Sequence, residues 1–270
     1  MAIHPNRVVG YRLGVQGATD VGRKRQLNED VFLVSEESGV YLVADGMGGH
    51  AAGEVASRLA ADEILRSLSD RSSLEQETWP EHWDSESSAA GNLLVDAVLA
   101  GHNRVTNAVD RDPNLKGMGT TVVVAVHPAA SRYLVVCHVG DSRAYRLRRG
   151  QLSVLTEDHS WVHEQVAAGF LTEEAARAHP LKNVVTQALG GSSQPRVDLL
   201  ETELMNGDVY LLCSDGLNSM LTDDEIAALM STDGSLEERA RKLIESANEH
   251  GGNDNVTVVL LEASQITAEA

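Results

Sequence analysis

The sequence predicts an α+β domain in which antiparallel sheets are covered by helices, and three observations support that prediction. Short apolar runs rich in β-branched residues recur along the 270-residue chain. Several of these runs are joined by links of turn length, which suit antiparallel neighbours better than long crossovers. Other segments have apolar residues at helical spacing. Sheets and helices of this kind bury their apolar faces against each other in layers, so we expect one layered domain.

Six apolar runs are predicted to be strands because they have the length and the β-branched content of buried strands. They are VFLV at 31–34, VYLVA at 40–44, TTVVVAV at 120–126, YLVVCHV at 133–139, VYLLC at 209–213 and VTVVLLE at 256–262. Helices are predicted around 55–68 and 94–109, and a second helical pair at 222–231 and 235–249. The polar segment 69–91 is predicted to be a loop that Trp79 and Trp83 hold against the body of the protein.

Composition and charge exclude several classes of function. The formal net charge of -18 argues against binding to nucleic acid and to anionic membrane surfaces. The sequence has no run of about 18 apolar residues that could span a membrane, and its first residues lack the apolar core of a signal peptide. Cys137 and Cys213 lie inside apolar runs, so we expect buried free thiols and a cytoplasmic protein.

Aspartates stand at the ends of the predicted strands. Asp30 and Asp45 lie symmetrically about a turn at Glu37–Ser38, so a hairpin would bring both carboxylates to its open end. Asp215 follows one strand and Asp254 precedes another, and an antiparallel relation would again place both at one edge. With Asp141, which closes a further strand, one edge of the sheets could collect four or five acids.

Such a cluster indicates a metal site more than a set of turns. Aspartate is common in turns and N-caps, and that explanation would suffice for any one of these residues. Five carboxylates at one edge repel one another unless cations neutralise them, and oxygen ligands select Mg²⁺ or Mn²⁺, with Ca²⁺ possible. Gly46 after Asp45 and Gly216 after Asp215 would let a backbone carbonyl approach the same ion, because glycine has no Cβ.

Seven motifs, in order along the chain, match a known family. They are RQLNED at 25–30, VADGMGGH at 43–50, GMGTT at 117–121, HVGDSR at 138–143, TEDHS at 156–160, LCSDGL at 212–217 and GNDNVT at 252–257. On these residues the chain resembles the bacterial metal-dependent Ser/Thr protein phosphatases of type 2C. The resemblance spans residues 25–257. It implies an αββα sandwich, two central antiparallel sheets flanked by helices, formed as a single catalytic domain over residues 1–264. Residues 265–270 would then be a short C-terminal tail.

The resemblance also implies a role for each site residue. Asp45 would bridge two metals, and Gly46 would give its carbonyl to one of them. Asp215 and Asp254 would complete the first metal site, and Asp30, with or without Glu29, would hold the second, partly through water. Asp141 would bind a third metal that it shares with Asp215, and Arg25 would bind the substrate phosphate rather than form a surface ion pair with Glu29.

The function implied by the resemblance is hydrolysis of phosphoserine and phosphothreonine in proteins. A water or hydroxide that bridges two ions would attack phosphorus in line. The ions would be Mn²⁺ or Mg²⁺, two in the core site and a third beside them. The partners would be phosphoproteins, including a bacterial Ser/Thr kinase that the enzyme counteracts, and we expect a monomer. The alternatives are a catalytically inactive pseudophosphatase that binds a phosphoprotein, and a calcium-sensing or structural domain, for which the EF-hand spacing is absent.

Two features leave alternatives open. Eukaryotic relatives carry a histidine, proposed as the proton donor to the leaving group, where this chain has Met47. His50 is a candidate replacement, and a helix-start residue is the equal alternative, whereas His138 and His159 are expected to order structure. The spacing of Cys137 and Arg143 fits C-x5-R, the pattern of cysteine-dependent phosphatases. We interpret it as coincidental because Cys137 lies in a strand, Asp141 would repel phosphate, and the residues that follow continue as strand.

Residues 160–180 correspond to the flap that bacterial members have beside the active site, and the resemblance implies that this segment influences substrate choice. Val162, Val166 and Phe170 give the segment a short apolar face. We therefore expect part of it to pack on the body of the protein.

Overall fold

In the part of the chain that the structure describes, eleven strands build two antiparallel sheets. The fold is seen in a computed structural model that describes residues 9–48, 52–71, 84–129, 131–191 and 193–267. The strands are β1 (Val9–Asp20), β2 (Asp30–Ser35), β3 (Val40–Met47), β4 (Gly119–Thr120), β5 (Val122–Val126), β6 (Tyr133–Val139), β7 (Arg143–Arg148), β8 (Gln151–Val154), β9 (Asp198–Glu203), β10 (Val209–Cys213) and β11 (Val256–Thr267).

Helices cover both sheets. They are α1 (Ala52–Arg71), α2 (Ala89–Arg111), α3 (Trp161–Ala167), α4 (Glu173–Arg177), α5 (Asp215–Asn218), α6 (Asp223–Met230) and α7 (Leu236–Glu249). Two of them begin at a capping box, in which an N-cap hydroxyl and a glutamate three residues later exchange hydrogen bonds with the backbone. Thr222 and Glu225 form this box at α6, and Ser235 and Glu238 form it at α7. The capping boxes explain why these two predicted helices begin where they do.

The strand order of each sheet is simple. One sheet has the order β1-β11-β10-β7-β8, and the other has the order β2-β3-β5-β6-β9, with β4 paired to β3. All strand pairs are antiparallel, as the short links predict. The β2–β3 hairpin aligns Asp30 with Asp45, and its turn ends at Gly39, where φ is +64°. The predicted symmetry of the two aspartates is therefore confirmed.

Three apolar clusters show that the layers are stacked as helix, sheet, sheet, helix. One cluster joins α1 and α2 to the outer face of the β2–β3 sheet, and a second joins α5, α6 and α7 to β7, β10 and β11. The third lies between the sheets and includes Tyr41, Val43, Tyr210 and Leu212. Neighbours in β3 alternate between clusters, Leu42 outward and Tyr41 inward. Both faces of the central strands are thus covered, which explains their continuous apolar sequences.

The observed elements include every predicted strand and helix, together with elements that were not predicted. All six predicted strands lie in β2–β6, β10 and β11, but β1, β8 and β9 were not predicted. β11 continues to Thr267 and pairs Gln265 with Tyr11, so the predicted domain boundary at residue 264 falls inside a strand. The prediction for Trp79 and Trp83 lies outside the described residues. Within the described ranges, no helix is long and apolar enough to cross a membrane.

Candidate metal centre

Five aspartates meet where strands from both sheets begin or end. We call Asp30, Asp45, Asp141, Asp215 and Asp254 the acid edge. Asp30 begins β2 opposite Asp45 on β3. Asp215 opens α5, two residues after β10, and Asp254 lies two residues before β11, the antiparallel neighbour of β10. The two sheets therefore bring together residues that are more than 200 positions apart in the sequence.

Asp30 joins the two sheets through one carboxylate oxygen. Its Oδ2 accepts hydrogen bonds from Ser214 Oγ at 2.7 Å and from Thr257 Oγ1 at 2.6 Å. Its other oxygen, Oδ1, is buried and has no hydrogen-bond partner. Burial raises the pKa of Asp30 to about 7, although the two hydroxyls oppose the shift. An unpartnered buried carboxylate oxygen is costly unless a cation or a proton satisfies it.

Asp45 lies at the centre of the acid edge. Its backbone carbonyl accepts hydrogen bonds from Thr121 N and from Thr120 Oγ1, both at 2.9 Å, which fixes the end of β3. Burial raises the pKa of Asp45 well above its usual value, and four other aspartates raise it further. In decreasing order of effect they are Asp30, Asp215, Asp141 and Asp254. All the other members of the acid edge thus act on this one carboxylate.

Asp215 and Asp141 form the side of the acid edge next to the flap. Burial and the charge of Asp254 raise the pKa of Asp215 to about 6, and Asp215 Oδ1 is a second buried oxygen without a partner. Burial and the charge of Asp215 raise the pKa of Asp141 to about 8. Asp141 follows Gly140, whose φ of +107° and close approach to Thr121 require glycine. The strongest charge acting on Asp141 is Asp215, as expected if the two share a cation.

Arg25 lies at the entrance to the acid edge rather than against Glu29. Its side chain is about half exposed (49%), and Nη2 donates to Asp254 Oδ2 at 2.7 Å. Glu29 instead accepts a hydrogen bond from Gly53 N at the start of α1, at 3.2 Å. The surface pair between Arg25 and Glu29 is therefore not formed, and the guanidinium is held beside the clustered acids.

The two Asp-Gly pairs are required by close packing of the backbone. A Cβ on Gly46 would collide with the carbonyl of Gly53, and it would lie 2.6 Å from that of Glu29. A Cβ on Gly216 would collide with the carbonyl of Asn255. These carbonyls already meet the glycines from neighbouring segments, so each glycine has a structural reason to be there. That reason is independent of the metal-ligand role expected for Gly46.

Residues that the sequence analysis did not single out hold the acids in place. Asn255 connects three segments, because its Oδ1 accepts from Glu29 N at 2.8 Å and its Nδ2 donates to Val21 O and Leu27 O. Ser214 and Thr257 bond Asp30, as described above. In the sequence, only their positions beside the predicted metal ligands could have indicated this role. Ser214 precedes Asp215, and Asn255 and Thr257 follow Asp254 within one motif. Their partners could not be known before the two sheets were placed together.

A second cluster has the composition of a metal site but is occupied by hydrogen bonds. We call His138, His159 and Asp198 the histidine network; one ligand atom from each lies within 4.8 Å of the others. The imidazoles are stacked with centroids 4.7 Å apart and are 3% and 2% exposed. His159 Nδ1 accepts from Gly140 N at 3.2 Å, so its Nε2 carries the proton and donates to Asp198 Oδ2, also at 3.2 Å.

Two further contacts favour a structural role for the histidine network. Arg196 Nε lies 2.9 Å from Asp198 Oδ1, and this guanidinium would compete with any metal for the carboxylate. His138 Nε2 bonds the carbonyl of Glu157 at 2.8 Å. The expectation that His138 and His159 order structure therefore agrees with their contacts, which join β6 and β9 to the loop that precedes the flap.

The cysteine-based alternative conflicts with the structure. Cys137 is fully buried in β6, and burial raises the pKa of its thiol, so a thiolate is disfavoured. Arg143 is paired with Asp158 through two bonds of 2.7 Å and begins β7 rather than a helix. Cys137 and Cys213 are both buried free thiols, as predicted.

The flap contains α3 and α4, and its apolar face only partly packs. Val162 and Val166 are half-buried, in agreement with the prediction that part of the flap packs on the body, whereas Phe170 is 77% exposed and does not contribute to that packing. Phe170 lies in the turn after α3, beyond the point where the helical spacing could carry its side chain inward. Met47 ends β3 opposite Gly119, and the proposed proton donor His50 lies outside the described residues.

The acid edge fits hard divalent cations. Its side-chain donors are all carboxylate oxygens, two of them are buried without partners, and burial, together with mutual repulsion, raises the pKa of several members. Oxygen-only donor sets of this kind suit Mg²⁺, Mn²⁺ or Ca²⁺, whereas zinc prefers sites with nitrogen or sulfur ligands.

Comparison with known proteins gives one consistent result. A family model described as "Protein phosphatase 2C" matches residues 19–260. The "Serine/threonine phosphatase stp" of Listeria welshimeri is 38% identical over 251 residues, covering 90% of this chain and 93% of the relative. The crystal structure of the Mycobacterium tuberculosis serine/threonine phosphatase PstP/Ppp is similar with a TM-score of 0.80 and 36% identity, covering 93% of this chain and 99% of that one.

A further similar structure contains metal. It is the catalytic domain of the serine/threonine protein phosphatase PstP in complex with two manganese ions. Its TM-score is 0.78 at 34% identity, and the match covers 95% of this chain and 99% of that chain.

Proposed function

Because the chain belongs to the protein phosphatase 2C family, we propose that the acid edge binds divalent metal ions and that Arg25 binds the phosphate of the substrate. The chain is a protein serine/threonine phosphatase, and the catalytically inactive alternative is not favoured. One observation carries the proposal: four other carboxylates surround Asp45, and two buried oxygens among them, Asp30 Oδ1 and Asp215 Oδ1, have no hydrogen-bond partner.

Each member of the acid edge has a proposed place in the metal site. Asp45, Asp215, Asp254 and Asp30 would hold two ions in the core of the site. Gly46 would provide its backbone carbonyl, and Asp141 together with Asp215 would hold a third ion. The raised pKa values support this arrangement, since carboxylates that are buried and also repel one another are stabilised by a shared cation.

The proposed ions are Mn²⁺ or Mg²⁺, two in the core of the site and a third beside Asp141. The oxygen-only donor set supports this choice, as does the presence of two manganese ions in the similar PstP catalytic domain. Bound ions of this type offset negative charge on a transferring phosphoryl group and lower the pKa of water enough for attack at neutral pH.

The chain's own residues would orient the substrate. Arg25 uses one of its five N–H donors on Asp254, so the remaining donors can bind two phosphate oxygens from the same position. The carboxylate of Asp30 is held by Ser214 and Thr257, and the backbone carbonyl of Asp45 is held by Thr120 Oγ1 and Thr121 N, so the Asp30 carboxylate and the backbone that carries Asp45 are fixed before substrate binds. We keep His50 as the candidate proton donor to the leaving serine or threonine, because Met47 has no proton to give.

Membership of the protein phosphatase 2C family supports a proposal for the domain organisation, oligomeric state, location and substrates of the protein. We propose a single catalytic domain that works as a monomer in the cytoplasm. Its proposed substrates are phosphoproteins, among them a Ser/Thr kinase that it counteracts and the targets of that kinase. The strongly acidic surface and the buried free thiols support this setting.

Hydrolysis of a phosphothreonine peptide tests the proposal. The full chain is assayed with Mn²⁺, with excess EDTA, and as the Asp45→Asn variant. We expect turnover that requires Mn²⁺, stops in EDTA and is lost in the variant. Turnover that persists in EDTA would contradict the metal mechanism, and full activity in Asp45→Asn would contradict the role of the acid edge.

A further inference from the structure

A cavity of about 520 Å³ extends from the acid edge under the flap. One end is formed by Asp141 and Asp215. The sides are formed by the flap and by the segment from α5 to the start of α6, with Val162 and Leu221 among the lining residues. Cavities of about 300–1,000 Å³ are typical of ligand sites, and this one is continuous with the proposed metal site. It is therefore positioned to receive residues that flank the phosphorylated side chain of a substrate.

The acidic and basic side chains of this cavity lie in different parts of it. Arg143 and Asp158 neutralise each other through two bonds of 2.7 Å, so neither is free for a ligand. Asp141 and Asp215 occupy the end that the proposed function assigns to metal ions. Asp223, on the wall opposite the flap, lies 3.5 Å from the hydroxyl of Tyr145.

Two unpaired cations lie on the flap side of the cavity. Arg177 is the last residue of α4, Lys182 lies in the turn that follows, and both are exposed and line the cavity. Neither side chain forms an ion pair or a hydrogen bond with any described residue. The chain has 22 lysines and arginines against 40 aspartates and glutamates, so these two cations form a local positive group in an acidic protein. They match an anionic ligand that enters from outside.

We propose that this cavity binds the residues that flank the substrate's phosphothreonine or phosphoserine, and that Arg177 and Lys182 select an anionic side chain there. This inference rests on the proposed phosphatase function and specifies its substrate class. The anion is the carboxylate of an acidic residue or a second phosphate, since both groups accept hydrogen bonds from arginine and lysine. The overall negative charge of the protein acts in the opposite direction, so a preference for acidic flanks would have to arise locally.

The test compares phosphothreonine peptides that differ only in their flanking residues. One has glutamate at the flanking positions, a second has glutamine, and a third carries a second phosphothreonine three residues away. Exposed ion pairs contribute modestly, so we expect kcat/KM to be about three- to fivefold higher for the glutamate peptide than for the glutamine peptide. A larger ratio for the doubly phosphorylated peptide would assign the site to phosphate, and a larger ratio for glutamate would assign it to carboxylates.

Variants test whether Arg177 and Lys182 cause the preference for glutamate over glutamine. In Arg177→Gln/Lys182→Gln the glutamate-to-glutamine ratio should fall to one or below, and in Arg177→Glu/Lys182→Glu a peptide with lysine flanks should become the better substrate. Arg12→Gln removes an exposed arginine from β1, at the opposite edge of the sheet from β8, and should retain the wild-type ratio. Each ratio is measured within one enzyme, so a change in total activity does not affect it.

The results of these assays distinguish a failure of this inference from a failure of the proposed function. Equal kcat/KM for the glutamate and glutamine peptides in the wild-type enzyme would overturn the inference, and so would a preference that survives in the double variant. In both cases hydrolysis of the peptides and of p-nitrophenyl phosphate would still support the phosphatase function. Absence of metal-dependent hydrolysis of every substrate would instead overturn the proposed function, and the inference with it.

Discussion

The acid edge and the histidine network both contain side chains that bind metals in other proteins, but they differ in how their polar atoms are satisfied. In the histidine network, His159 uses both ring nitrogens in hydrogen bonds and Asp198 is also paired with Arg196. In the acid edge, Asp30 and Asp215 each keep a buried oxygen without a partner, and burial, together with mutual repulsion, raises the pKa of both carboxylates. A complete set of hydrogen bonds indicates a structural role, whereas an incomplete one indicates a site for a ligand.

The largest expected effect is a difference in kcat/KM between two variants, one that removes a carboxylate charge from the acid edge and one that removes a carboxylate charge from the histidine network. Asp215→Asn should lower kcat/KM by more than about 100-fold, because even loss of a group that only orients a metal ligand costs about 10–100-fold. Asp198→Asn should change it by less than about threefold, since the amide oxygen can still accept from His159 Nε2. Steady-state assays with saturating Mn²⁺ measure both. Equal losses in the two variants would remove the distinction between the regions.

The pH dependence of stability gives the next largest effect. In the metal-free protein the pKa values of Asp215, Asp30 and Asp141 are raised to about 6, 7 and 8. The folded state therefore keeps protons that the unfolded chain releases near pH 4, so the free energy of unfolding falls as pH rises from about 4 to about 8. The slope is about 1.4 kcal/mol per pH unit for each retained proton.

Urea unfolding in EDTA between pH 5 and pH 8 measures this slope. Asp30→Asn should make it shallower, and Mn²⁺ should stabilise the protein most at pH 8, where the carboxylates are most ionised. A metal-free protein that becomes more stable over this range would show that the acids are not held in a repulsive cluster.

A smaller effect is expected from the hydroxyls that hold Asp30. Thr257→Val removes the 2.6 Å bond to Asp30 with little change in volume, and it should raise the Mn²⁺ concentration for half-maximal activity by about 10-fold. Thr202→Val is the matched control, because Thr202 is also buried in a strand but bonds Arg146 instead of an acid. A shift of the same size in the control would mean that the effect is one of general stability.

The smallest expected effect is on stability alone. Asp198→Ala leaves the buried Nε2–H of His159 without its acceptor and should lower the free energy of unfolding by about 1–2 kcal/mol. The effect is limited because Asp198 is itself one-third exposed. Thermal or urea unfolding measures it, with Asp198→Asn as the conservative control. An unchanged stability in Asp198→Ala would contradict the structural role of the histidine network.

The sequence predicted the central strands because their composition alone identifies them. β3, β6 and β10 contain the long apolar runs VYLVA, YLVVC and VYLLC, since both faces of these strands are covered by other layers. β1 was not predicted because its glycines and charges give no clear alternation. It becomes a strand by pairing along its whole length with β11, more than 230 residues away, and Gly17 provides room for the ring of Phe32. Such distant pairing leaves no local pattern in the sequence.

The candidate site could be predicted in part for the same reason. The positions of Asp30 and Asp45 follow from one hairpin, which is local and therefore readable. Ser214 and Thr257 reach Asp30 from the other sheet, so their roles depend on how the sheets are stacked. The exposure of Phe170 depends likewise on where α3 ends, which helical spacing does not show.

The anomalous diffraction signal of manganese in a crystal grown with Mn²⁺ distinguishes the acid edge from the histidine network as the metal site. We expect anomalous peaks within bonding distance of Asp45 and Asp215, with none between His138, His159 and Asp198. Manganese bound in the histidine network, with none at Asp45, would contradict the account.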